Sequence, residues 1–199
     1  MIFSYNVVMI YSLTGKLVSK HENFFIIETS GIAFKIFSSA GVLANLPTLG
    51  NQFKIFTHLY VREDALELYG FLNEQELGLF EKLNSVTGIG PKSALGILGI
   101  GKIDQLIAAI NEGRTELLTR ASGVGRKTAE RIVLELKGKL SLTASPQALS
   151  LMESDVELEE TLMSLGYNRV QAKTAISNID PKITNFKDRL KEALRKAKS

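Results

Sequence analysis

Two hydrophobic periods divide the chain. Up to Phe71, apolar and polar residues alternate or gather in short apolar runs, which is the pattern of strands. From Asn73 onward, apolar residues recur at three- and four-residue spacing, which is the pattern of amphipathic helices. In the first region Phe24-Phe25-Ile26-Ile27 and Ile32-Ala33-Phe34-Lys35-Ile36-Phe37 flank Thr29-Ser30-Gly31, which predicts a hairpin. Gln52-Phe53-Lys54-Ile55-Phe56-Thr57 alternates as a half-buried strand should. Leu59-Tyr60-Val61 and the run 66–71 enclose Arg62-Glu63-Asp64-Ala65, which reads as a hairpin tip. The apolar opening, residues 1–13, reads as a further strand. Five or so short strands within about 65 residues suit a small barrel.

In the second region Asn73 with Glu76 predicts a capped helix start. Ile103, Leu106, Ile107 and Ile110 form one helical face, and Ala129, Ile132, Val133 and Leu136 form another. Residues 141–152 carry Ser, Thr and Pro and no charge, which predicts a flexible linker. Three short helices are expected after it. The first starts at a Ser154/Glu157 capping box, carries Leu158, Leu162 and Leu165 on one face and ends at Gly166. Asn168 caps the second, with Ala172, Ala175, Ile176 and Ile179; Pro181 separates the third, with Ile183, Phe186, Leu190 and Leu194. The expected organisation is a barrel over 1–71 (1–8 being an extension), a helical domain over 72–140, the linker over 141–152 and a three-helix bundle over 153–199, a multi-domain α+β chain.

Composition narrows the chemistry. The 199 residues contain no cysteine, which excludes disulfides and thiolate zinc sites, and only His21 and His58 as imidazoles. No metal site, cofactor or catalytic centre is expected. No apolar run approaches the ~18 residues of a membrane span, and a cytoplasmic setting is expected. The formal net charge is only +3, but residues 81–140 hold ten basic against six acidic side chains, so the positive excess lies in the middle of the chain, where a polyanion would bind.

That middle block contains an internal repeat. Residues 83–94 read LNSVTGIGPKSA and residues 118–129 read LTRASGVGRKTA, at a constant offset of 35. Each copy predicts a helix, a tight turn with two glycines, and a second helix beginning at Pro91 or Arg126. Gly88, Gly90, Gly123 and Gly125 permit positive φ and close backbone approach. Ile89 and Val124 can anchor each turn in the core. The first amides of the second helix lack intrahelical partners and lie at the positive end of its dipole, which suits a phosphate. Lys92 and Lys127 add charge, as does Arg126, and Ser93 and Thr128 add hydroxyl donors. Such contacts do not read bases, so binding should be indifferent to sequence. A nucleotide P-loop is excluded, because Pro91 and Arg126 stand before the lysines where that motif requires glycine. A plain helix C-cap would explain one copy, but not two in register with the same lysine and hydroxyl.

These residues are those of the helix-hairpin-helix motif. Together with Tyr60-Val61-Arg62-Glu63-Asp64-Ala65, Leu68-Tyr69-Gly70-Phe71 and Leu165-Gly166-Tyr167, the chain resembles the RuvA family from Met9 to its end. The resemblance implies an OB-fold barrel, a tandem helix-hairpin-helix domain and a small mobile UBA-like helical domain. It implies a homotetramer, or an octamer on DNA, that holds four-way (Holliday) junctions open and planar during homologous recombination, DNA repair and the SOS response. It also implies a hexameric RuvB ATPase as partner, contacted by the third domain (Leu165, Gly166 and Tyr167 in the matching motif), with the RuvC resolvase as a further one. On that reading the chain is not an enzyme, and ATP is hydrolysed by the partner.

Glu63 and Asp64 would form the family's acidic pin. Around a four-fold axis these carboxylates would ring the junction centre and repel phosphates there. The family's usual opening matches Met9-Ile10-Tyr11-Ser12-Leu13-Thr14-Gly15, leaving residues 1–8 in front of it. Ser85 stands where some members have lysine, while Arg120 keeps a basic residue at the equivalent place in the second repeat. Ser122 replaces a frequent proline. A nuclease or glycosylase on the same DNA-binding unit would need clustered carboxylates or a catalytic Asp with a base pocket, and the sequence offers only Glu63-Asp64.

Overall fold

The computed structural model describes residues 9–140, 146–180 and 182–197. The chain divides into two compact units, Met1–Ser141 and Leu142–Ser199. The first opens with five strands: β1 (Ser12–Lys20), β2 (Phe24–Thr29), β3 (Ile32–Phe37), β4 (Gln52–Val61) and β5 (Leu66–Phe71). They close into a barrel in the order β1-β2-β3-β5-β4, with β4 pairing back to β1 and only β3 and β5 running parallel. Leu17, Phe25, Ile27, Ile36 and Ile55 fill the interior. Ser30 and Gly31 both have positive φ (50° and 81°), the requirement of a two-residue hairpin turn whose twist matches its strands.

Three features of the barrel differ from the sequence pattern. The opening strand begins only at Ser12; residues 1–8 lie outside the described residues. Ahead of it the carbonyls of Ile10 and Tyr11 accept from the Thr57 hydroxyl (2.6 Å) and amide (2.8 Å), and the Tyr11 ring meets Phe56 edge-on (5.8 Å). A short helix, α1 (Ala40–Ala44), capped by the Ser39 hydroxyl, buries Val42 and Leu43 in the barrel core. It is too short to show a helical period in the sequence.

The rest of this unit is helical: α2 (Glu74–Asn84), α3 (Pro91–Leu98), α4 (Ile103–Asn111), α5 (Thr115–Leu118) and α6 (Arg126–Leu136). Asn73 caps α2 through its side-chain oxygen, which accepts from the Glu76 amide (2.9 Å). Glu76 reaches back one residue further than a standard capping box and accepts from the Leu72 amide (3.0 Å), at the end of the barrel. Burial pushes the Glu76 carboxyl up, and that amide bond opposes the shift. Phe80 of α2 is fully buried against Phe71 and Tyr69 (ring centroids 4.7 and 5.4 Å), and Glu81 meets His58 Nδ1 at 3.2 Å. These contacts rivet the helical part to strands β4 and β5, and so fix the Arg62–Ala65 tip relative to α3. Helix α4 is buried along Leu106, Ile107, Ala109 and Ile110 and forms the spine between the two repeats.

In the second unit, α7 (Pro146–Ser164), α8 (Arg169–Ser177) and α9 (Phe186–Ala197) surround Leu158, Leu162, Ala172, Ala175, Ile179 and Ala193. Ile183, Phe186, Leu190 and Leu194 pack against that cluster as the spacing predicts. The expected linker over 141–152 is corrected: residues 141–145 lie outside the described residues, but α7 is already helical from Pro146. Proline suits a first helical position, and the charge-free Gln, Ala, Leu and Met that follow are strong helix formers. Ser154 is consequently inside the helix and is not an N-cap. Leu165 is also corrected, since it is 58% exposed and not part of the apolar face. The chain leaves α7 there: Gly166 (φ 95°) and Tyr167 donate to the carbonyls of Met163 and Leu162, the paired bonds of a Schellman ending. Asn168 caps α8 as expected, reciprocally with Gln171 (both bonds 2.9 Å). Pro181 lies outside the described residues. Among the described residues no single helix is long and apolar enough to cross a membrane.

Candidate nucleic-acid interface

The two repeats occupy α2–turn–α3 and α5–turn–α6, and both second helices begin at the expected residues, Pro91 and Arg126. Ile89 and Val124 are each 5% exposed and pin their turns into the core. The four glycines divide into two kinds. Gly88 (φ 87°) and Gly123 (φ 78°) adopt the left-handed conformation that L side chains resist. Gly90 (φ −96°) and Gly125 (φ −83°) do not use that freedom; they are extended N-caps, a conformation any residue could adopt. A Cβ placed on Gly90 or Gly125 would meet no atom of the chain within 4 Å. Neither backbone conformation nor internal packing therefore requires glycine there. What a side chain at these positions would obstruct is an approach from outside.

Each glycine N-cap lacks a side-chain cap bond. The amides of Lys92 and Ser93 in one repeat, and of Arg126, Lys127 and Thr128 in the other, are thus first-turn donors without intrahelical acceptors. Pro91 contributes no N–H. Lys92, Arg126 and Lys127 are exposed, and Ser93 and Thr128 are half-buried at the mouths of the turns. Arg126 Nε bonds Glu130 Oε1 on the same helix (3.0 Å). Arg120 is half-buried one turn before the second hairpin. Its counterpart Ser85 is exposed, and its hydroxyl donates to the Lys82 carbonyl (2.7 Å) at the end of α2.

The two hairpins also touch one another. Ser93 Oγ lies 3.2 Å from where a Cβ on Gly123 would sit. Arg131 of α6 reaches the other way: its Nη1 donates to the Thr87 carbonyl (2.9 Å) and lies 3.3 Å from the Cβ position of Gly88. The position equivalent to Arg131 is Gly96, whose Cβ would lie 3.1 Å from the Ser122 carbonyl oxygen. Arg131 belongs to the second hairpin's motif, but its bridge to the first hairpin is not evident from the motif alone. Its signal was the repeat itself, which sets an arginine opposite a glycine at the 35-residue offset.

The Arg62–Ala65 tip stands beside the first repeat. Glu63 and Asp64 are exposed, and the turn closes with the Arg62 amide donating to the Ala65 carbonyl (2.8 Å). Behind it Arg62 Nε donates to the Tyr60 hydroxyl (2.6 Å), and the Tyr69 hydroxyl donates to Glu67 Oε2 (2.6 Å). Burial, then that bond, pushes the Tyr69 phenol up, so it stays a donor. In the second unit Leu165 and Gly166 are exposed and Tyr167 packs on the bundle core; Met163 and Val170, which the sequence reading did not single out, are exposed as well. Among the described residues no three His, Asp or Glu side chains converge as metal ligands would.

A closed OB-fold barrel riveted to two interlocked glycine hairpins defines the class of tandem helix-hairpin-helix proteins. Comparison with known proteins makes the assignment particular. Residues 9–70 match the family model described as RuvA N terminal domain, residues 80–139 the SAM-like Helix-hairpin-helix tandem, and residues 157–197 the RuvA C-terminal domain. A Holliday junction branch migration complex subunit RuvA from Caldanaerobacter subterraneus is 42% identical over 94% of this chain and 98% of its own length. The proteins of the same name from Roseiflexus castenholzii (42%) and Dehalococcoides mccartyi (40%) match over 94% of this chain and over 98% and 97% of their own lengths. The chain belongs to the RuvA family.

Proposed function

We propose that this chain is a non-catalytic, structure-selective DNA-binding subunit of a branch-migration complex. It binds four-way junctions without regard to sequence, holds them open and planar, and presents them to a separate ATP-hydrolysing motor of the RuvB type. The observation that carries this reading is the pair of N-cap glycines whose missing side chains leave room only for something outside the chain. Gly88, Gly90, Lys92 and Ser93 would hold the backbone of one strand, and Arg120, Gly123, Gly125, Arg126, Lys127 and Thr128 that of the other. Two such turns in pseudo-symmetric relation suit the two strands of one duplex arm across the minor groove, through backbone phosphates alone.

Four-fold assembly would place four such arms around a hub lined by Glu63 and Asp64 of every protomer, in a tetramer or in two tetramers face to face. Phosphates of a continuous duplex crossing that hub would be repelled, whereas the strands of a junction diverge around it. The unit beginning at Pro146 would contact the motor through the surface around Leu165, Gly166 and Tyr167, and a RuvC-type resolvase would act on the same held junction. The proposed setting is the cytoplasm, in recombination and repair.

The test is a competition gel shift between a four-way junction and a linear duplex of equal length. The wild-type protein should prefer the junction. Glu63→Gln with Asp64→Asn should keep junction binding while the preference over duplex falls. No preference in the wild type, or an unchanged preference in the double variant, contradicts the reading.

A further inference from the structure

Between the acidic tip and the first phosphate-binding turn lies a cleft of about 280 Å³, lined by Tyr60, Arg62, Asp64, Ala65, Glu67, Tyr69 and residues 90–93. Its size is at the lower end of small-molecule pockets, roughly 300–1,000 Å³, too small for a base pair within a duplex. Its two walls differ in chemistry. One is the start of α3, where the Lys92 and Ser93 amides, the Ser93 hydroxyl and the Lys92 ammonium are set to meet a phosphate. The other is aromatic: the exposed Arg62 guanidinium lies 5.0 Å from the half-buried Tyr60 ring centroid, and the buried Tyr69 meets Tyr60 edge-on at 6.4 Å, which leaves Tyr60 and Arg62 as the planar groups a base can reach. Planar bases stack on such rings and on guanidinium planes. Asp64 and Glu67 on that wall are acceptors for a base's exocyclic amine and repel a phosphate.

The walls are held in place by contacts within the chain. Arg62 is fixed by the Tyr60 hydroxyl (2.6 Å), Tyr69 by Glu67 (2.6 Å), and the Tyr69 ring by Phe80 (5.4 Å), itself anchored in α2. A phosphate-seeking wall facing a base-seeking wall, with carboxylates at only one end, admits a nucleotide in one orientation: phosphate toward α3, base toward the tip. Resting on the functional reading above, we propose that this cleft holds one unstacked nucleotide of a strand at the crossing point, after it leaves one arm and before it pairs in the next. Duplex within the arms has no nucleotide free to enter.

The test places 5-iododeoxyuridine in a synthetic junction, either at the crossing point or well inside an arm, and maps photocrosslinks by peptide mass spectrometry on the full-length protein. The crossing-point label should crosslink to Tyr60 and the arm label should not. In parallel, Tyr60→Leu should lower the junction-to-duplex affinity ratio roughly tenfold, the size of one lost base–aromatic stack, and Tyr60→Phe, which keeps the ring and loses the hydroxyl that holds Arg62, should recover most of it. A wild-type protein that prefers the junction yet forms no crosslink at Tyr60, or a ratio unmoved by Tyr60→Leu, overturns this inference alone. A wild-type protein without junction preference overturns the functional reading and this inference with it.

Discussion

The two hairpins share a backbone and differ in what surrounds it. The first is short of donors and charge: Pro91 removes an amide, the Ser85 hydroxyl is spent on the Lys82 carbonyl, and Lys92 is its exposed cation. The second keeps all its first-turn amides and adds Arg126, Lys127 and the half-buried Arg120. The helices differ too: α3 has 8 residues with Gly96 against the Ser122 carbonyl, whereas α6 has 11 and sends Arg131 across to the Thr87 carbonyl. On the proposed function, the duplicated motif divides its labour: the second copy would supply most of the electrostatic attraction, and the first copy, joined to the barrel through Phe80 and flanked by the tip, would set where the bound backbone lies relative to the hub.

The largest expected effect separates the copies by charge. Arg126→Ala with Lys127→Ala should cost about 3–6 kcal/mol of DNA binding, at ~1.5–3 kcal/mol for each hydrogen bond to a charged group. It should also flatten the slope of log affinity against log salt by roughly 1.8, against about 0.9 for Lys92→Ala. Salt titrations on several DNA sequences measure both, and each loss should be the same for all of them. Equal slopes for the two variants would break the comparison. The next effect treats the copies alike. Gly88→Ala and Gly123→Ala force a side chain into left-handed backbone and should each destabilise the fold by ~1–2 kcal/mol, read from denaturant midpoints. Arg131→Gln should have the smallest effect, about 0.5–1.5 kcal/mol for one bond to an exposed carbonyl. Because that bond ties the two turns together, its loss should reduce junction affinity even where the charge is kept, which Arg131→Lys isolates.

Much of this was legible in the sequence because the relevant forces are local. Strand β4 follows from period-two alternation, and β2, β3 and β5 follow from short apolar runs bounded by turn residues. The Ser30-Gly31 turn follows from residues that tolerate positive φ, and the helix starts at Pro91, Arg126 and Asn168 follow from cap chemistry. The repeat exposed both turns and their buried anchors, Ile89 and Val124. The linker reading erred because absence of charge was taken for absence of structure, whereas the residues after Pro146 have high intrinsic helix propensity. Leu165 was misplaced because apolar spacing cannot register that a helix ends one residue earlier. The division of the four glycines, the Arg131 bridge and the cleft beside Tyr60 depend on which parts of the chain meet in space, and a linear pattern does not encode that directly.

On the proposed function, Gly90 and Gly125 are glycine for the sake of DNA. Gly90→Ala with Gly125→Ala tests this most directly, measured both by thermal unfolding and by junction affinity. At these φ values alanine reduces unfolded-state entropy but is a poorer N-cap than glycine, so the two small terms oppose each other and the net change in stability should stay within about 1 kcal/mol. Junction affinity should fall at least tenfold, as the added methyl groups hold phosphates away from the first-turn amides. An unfolding midpoint and a junction affinity that both stay at wild-type values would contradict the account.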